Sequence, residues 1–67
     1  MSERLSFRVP AMHCEHCERA IRGEVARVAG VEAVEVDLDA KVVTVHGETV
    51  SEKAVREAID EAGYEVA

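Results

Sequence analysis

Four residues capable of binding a metal or cycling electrons fall within five consecutive positions: His13, Cys14, His16 and Cys17, in the stretch AMHCEHCERAI. They include both cysteines of the chain and two of its three histidines. A disulfide between cysteines three apart would close a tiny loop and remove little chain entropy, so it would be a poor staple. In a reducing compartment the same spacing points to metal or redox chemistry. Thiolates are soft ligands that select soft ions such as Cu(I) and also suit zinc. Two sulfurs underfill a structural zinc site, which takes four ligands, whereas Cu(I) accepts two or three. The redox alternative lacks the larger fold that normally carries such a pair. It also lacks an aromatic or proline beside the cysteines.

The elements that must position these residues are readable from periodicity. Leu5, Phe7 and Val9 alternate with Ser6 and Arg8, the period of a strand with one buried face, and Pro10 ends it. From Glu15 to Val28, Cys17, Ile21, Val25 and Val28 share one helical stripe. Gly30 is the expected stop. Val34, Val36 and Leu38 alternate with Glu35 and Asp37 as a second strand. Asp39-Ala40 reads as a tight hairpin turn, and Lys41 to Val45 as a third strand with Val43 and Val45 inward. Ser51 is an expected N-cap, with Val50 and Val55 as a hydrophobic staple. Ala54, Val55, Ala58, Ile59 and Ala62 form the second helix's stripe, Gly63 its left-handed end, and Tyr64 to Val66 a short last strand.

The order β-α-β-β-α-β predicts an α+β, ferredoxin-like βαββαβ sandwich: a four-stranded antiparallel sheet with two helices on one face. This topology puts the end of the first strand, the start of the first helix and the end of the second helix at one pole. Cys14 should close the loop there and Cys17 should lie in the first helical turn, near Tyr64. Positions three apart on a helix are neighbours, so both sulfurs can reach one ion. The amides and dipole of a helix start favour the thiolate. His46 belongs at the opposite pole, out of reach.

Sixty-seven residues make one domain, spanning 1–67, with a thin and mostly aliphatic core. Eight basic against fourteen acidic residues give a net charge of −6. That argues against nucleic acid and against an anionic membrane, and favours a partner with a basic face. No run approaches transmembrane length, and the N-terminal Met-Ser-Glu-Arg carries no apolar signal core, so a cytoplasmic location is expected. The Met1 start suggests a free-standing protein, with a domain excised from a larger chain as the alternative.

The segments VPAMHCEHC, GVEAVEVDL and AIDEAGYEV together resemble a heavy-metal-associated domain, in particular the small bacterial copper chaperones. These share their fold with the metal-binding domains of copper-transporting P-type ATPases. The resemblance runs from about Leu5 to Val66, and Met12, Cys14 and Cys17 match the family motif G-M-x-C-x-x-C. It implies Cu(I) as cargo, Cys14 and Cys17 as its ligands, Met12 packed inward, and Tyr64 beside the metal loop. It further implies delivery, without enzymatic catalysis, to a copper-transporting P-type ATPase or a copper-sensing regulator. Two departures stand out. Ala11, preceded by Pro10, replaces the usual glycine and stiffens the loop. His13 stands where threonine or serine is frequent. His13 and His16 are therefore candidate additional ligands, which would recruit a borderline ion such as Zn(II) or give copper a third ligand. A carrier of zinc, cadmium or mercury that uses either histidine with the cysteines is the alternative. Exposed thiolates also make a metal-bridged homodimer physically easy.

Overall fold

The computed structural model describes residues 3–67; Met1 and Ser2, which belong to the N-terminal stretch read for a signal core, lie outside the described residues. The elements are β1 (Glu3–Arg8), α1 (Glu15–Val25), β2 (Val31–Asp37), β3 (Val42–Gly47) and α2 (Glu52–Glu61). The sheet order is β1-β3-β2, with both outer strands antiparallel to β3. In register, Leu5 and Val34 flank Val45, while Phe7 and Val36 flank Val43. Each of these rows points to the helices, as the period-two alternation requires.

The helices close the core from that side. Cys17, Ile21 and Val25 of α1 and Val55 and Ile59 of α2 are buried against Phe7, Val43 and Val45, together with Val9 and Met12 from the loop. Among the described residues no side chain in this core is polar or charged. Its apolar area is small, so each residue matters. Emptying the space of a buried isoleucine costs roughly 2–5 kcal/mol, a large share of what a domain this size can hold.

The expected fourth strand is absent: among the described residues the sheet has three strands. Tyr64 spends its amide on the end of α2, donating to the Ile59 carbonyl, while Gly63 donates to Asp60. Gly63 at φ +94° completes this helix-closing pattern. The following segment gives β1 one backbone bond, Ala67 N–H to the Arg8 carbonyl at 2.8 Å. It lies beside the sheet without forming a ladder.

Three smaller boundaries also differ. The helix α1 ends at Val25, not at Val28. Arg27 and Val28 take tighter bonds to Glu24 and Val25, so the stripe continues as a turn that still packs Val28 on the core. Gly30 therefore does not stop the helix. At φ +89° it passes so close to Glu48 that a Cβ there would strike the Glu48 carbonyl. The hairpin spans Leu38 to Lys41 in place of a two-residue turn. Asp37 Oδ1 accepts from Ala40 N–H at 3.0 Å, and Lys41 takes the left-handed conformation at φ +58°.

Candidate metal centre

The loop between β1 and α1 is held at both ends before it reaches the cysteines. Val9 and Met12 are fully buried. Met12 N–H donates to the Val9 carbonyl at 3.0 Å, closing a turn with Pro10 and Ala11 at its centre. Proline's fixed φ suits the first central position of such a turn. Met12 thus packs inward, as expected, and cannot present its sulfur at the surface.

Cys14 is the N-cap of α1, with extended backbone (φ −149°, ψ 168°), and its carbonyl accepts from Glu18 N–H at 3.1 Å. Cys17 is the third helical residue and is buried on the apolar stripe with Ile21. The structure brings the two sulfurs to 3.2 Å. Both are free thiols, well beyond the ~2.05 Å of a disulfide. Cys14 is half-exposed, so the pair opens to solvent on that side.

The Cys17 thiol is pulled down from 9.0 to about 6. The largest cause is a hydrogen bond from the Tyr64 hydroxyl, followed by the backbone amide of His13 and the Cys14 side chain; burial opposes them. Tyr64 moves the opposite way, because losing its proton would cost the bond to Cys17. Near neutral pH, Cys17 is therefore mostly thiolate, the form that binds metal. The expected neighbourhood of Tyr64 and the cysteine loop is present.

The histidines divide. His13 Nδ1 lies 2.7 Å from the Ala11 carbonyl. A carbonyl only accepts, so Nδ1 is the donor, and in the neutral tautomer the lone pair is on Nε2. His16 is exposed on the helix, about 100° round from Cys17. Among the described residues no group of three or more His, Cys, Asp or Glu side chains converges on one point. His46 sits near the far end of β3, its Nε2 3.5 Å from Glu35 Oε1.

One residue escaped the sequence reading. Lys41 Nζ donates to the Met12 carbonyl at 2.9 Å across 29 positions of sequence. The signal was available in the topology: β3 runs antiparallel to β1, so the β2–β3 hairpin shares the pole of the cysteine loop.

Known proteins similar to this chain form a consistent pattern. The profile of the heavy-metal-associated domain family matches residues 6–65. The chain is 39% identical to the copper chaperone CopZ of Bacillus subtilis over 67 residues, covering 97% of each protein. A solved CopZ metallochaperone superposes with a TM-score of 0.91 at 27% identity, covering 97% of this chain and 100% of that one. The chain is also 32% identical to a probable copper-transporting ATPase, PacS of Synechocystis, over 96% of its own length but 9% of the ATPase.

Proposed function

The chain belongs to the heavy-metal-associated domain family, and from that premise we propose that it is a copper chaperone that carries Cu(I) between Cys14 and Cys17. The observation that carries the reading is the pair of free sulfurs 3.2 Å apart at a half-open helix start, one of them with its pKa near 6. A tetrahedral ion with metal–sulfur bonds of ~2.3 Å needs sulfurs ~3.8 Å apart, and a linear one ~4.6 Å. The half-exposed Cys14 has room to swing outward, while Cys17 is fixed in the core.

Delivery follows from the same asymmetry. A cysteine thiolate of the recipient bonds to the ion from the open side. Three sulfurs then hold it, and an original thiolate departs. The Tyr64 hydroxyl and the His13 amide stabilise Cys17 as a thiolate after the ion has gone, so release does not wait for a proton. Nothing is made or broken but metal–sulfur bonds, which is binding and transfer without enzymatic turnover. The recipient in this reading is a copper-transporting P-type ATPase domain or a copper-sensing regulator in the cytoplasm. The net charge of −6 suits a recipient with a basic face. The unit proposed is a single domain over residues 1–67.

A second reading rests on His13, whose exposed ring is anchored through Nδ1 and would offer Nε2 as a ligand in its neutral form. It makes the protein a Zn(II), cadmium or mercury carrier with mixed sulfur and nitrogen ligation, or a dimer bridged through one ion. Anaerobic competition for Cu(I) with a chromophoric chelator, on the wild type and on Cys14→Ser, Cys17→Ser and His13→Ala, separates the two. Binding that depends on both cysteines and not on His13 supports the Cu(I) chaperone. Tight Cu(I) binding by the double cysteine variant would sink it. X-ray absorption reads the ligands directly, sulfur alone or sulfur with nitrogen.

A further inference from the structure

Lys41 makes two contacts with the segment that leads into the cysteines, and they fall on either side of its turn. Its carbonyl accepts from Val9 N–H at 2.8 Å. Its ammonium donates to the Met12 carbonyl at 2.9 Å. Between these points the chain makes the Pro10-Ala11 turn, closed on itself by the Met12-to-Val9 bond. A single hairpin residue therefore clamps the turn at its entry and its exit, and Cys14 follows two residues beyond the exit.

The backbone of Lys41 makes this clamp unusual. At φ +58° it occupies the left-handed region that glycine and asparagine enter most easily. A lysine there carries strain, and its side chain is half-buried while reaching back to a carbonyl of another element. Neither glycine nor asparagine has the length or the charge to make that bond. Strain retained together with a directed polar contact beside a binding loop is the pattern of a constrained site. The Asp37-to-Ala40 bond holds the preceding turn, so the lysine is presented from a fixed base.

We propose that Lys41 is the positioning residue of the metal loop, holding the Met12–Cys14 segment in the direction that sets the Cys14 sulfur opposite Cys17. It touches neither sulfur in this role and acts through the Met12 carbonyl. The clamp leaves the Cys14 side chain free to rotate while fixing the backbone from which it rotates. Its cation also stands on the loop that gathers negative charge when two thiolates hold a monovalent ion. The inference rests on the Cu(I)-binding reading of Cys14 and Cys17, and its test keeps the two apart.

The variants are Lys41→Met, which keeps length and backbone strain but loses the donor, and Lys41→Arg, which restores a donor and the charge. Metal-free protein is followed by NMR at the Met12 carbonyl carbon and the His13 and Cys14 amides, and Cu(I) affinity by anaerobic competition. Lys41→Met is expected to shift these three signals and to weaken Cu(I) binding about tenfold, the worth of a charge-assisted hydrogen bond. Lys41→Arg is expected to recover both within about twofold, on the same basis. Unchanged loop signals in metal-free Lys41→Met overturn the inference, as does an unchanged affinity or an arginine variant that fails to recover. Should Lys41→Met unfold, Lys41→Gly relieves the strain while removing the same donor, and the same shifts and the same loss of affinity are expected of it. Absence of Cu(I) binding in the wild type would refute the chaperone reading, while the metal-free signals judge Lys41 by themselves.

Discussion

The two helices start in opposite ways. At α2, Ser51 accepts from Ala54 N–H at 3.3 Å, and Val50 packs on the core with the buried Val55. That start is built for stability, since the hydroxyl satisfies a donor that the helix cannot. At α1 the N-cap is Cys14, whose side chain makes no capping bond. The donors near that start go to sulfur instead: the His13 amide and the Tyr64 hydroxyl both favour the Cys17 thiolate. One helix end spends its polar groups on holding the fold, the other on holding a charge for a ligand.

Substitutions at the two helix starts should have opposite consequences, with the largest losses at the sulfurs. Cys17→Ser should lower Cu(I) affinity on the order of 10³-fold or more, since metal–thiolate bonds supply most of the binding free energy; chelator competition reads the loss. Tyr64→Phe should come next. It removes the largest contributor to the low Cys17 value, so ultraviolet thiolate absorbance should titrate well above about 6. Copper binding should weaken roughly tenfold, as when an outer-shell partner of a metal ligand is lost.

The same thiol makes stability depend on pH. Its folded-state value, about 6, lies below the ordinary 9.0, so the folded chain binds fewer protons between those limits. The stabilisation is complete above the ordinary value, declines as pH falls, and is gone below the folded one. Thermal unfolding of the metal-free, reduced protein should therefore rise in midpoint from pH 6 to pH 9, and Tyr64→Phe should flatten that rise. The smallest changes in stability belong to the caps. Ser51→Ala should cost about 1 kcal/mol by denaturant unfolding and leave copper affinity unchanged. Cys14→Ser places a good capping hydroxyl on extended backbone. It should gain about 0.5 kcal/mol in the metal-free protein while losing tight copper binding.

Much of the fold was legible because its signals are local. The alternation around Phe7, Val43 and Val45, the stripe of Cys17, Ile21 and Val25, the Ser51 cap and the Gly63 stop each depend on residues within a turn or a strand. The errors fell where distant groups compete for one donor. Tyr64 reads in sequence as the start of a short last strand, but its amide closes α2 first. Gly30 looked like a helix stop, yet its positive φ serves a close pass against Glu48, which no local pattern announces. The four-residue hairpin was missed because it hinges on the Asp37 carboxylate and on a lysine in a conformation lysines rarely take.

The candidate site divides along the same line. Local spacing alone fixes which atoms are present and how far apart along a helix they sit: two thiols three residues apart, after a buried methionine and at a helix start. That spacing brings the sulfurs to one side of any helix, whatever surrounds it. The state of those sulfurs depends on contacts made by distant parts of the fold. Tyr64 reaches Cys17 from the far end of the chain, and Lys41 reaches the Met12 carbonyl from the β2–β3 hairpin. The low thiol pKa and the clamped loop arise from through-space hydrogen bonds between segments 29 to 47 residues apart, counting 41 − 12 and 64 − 17. Such bonds exist only once the sheet has brought these distant segments to one pole.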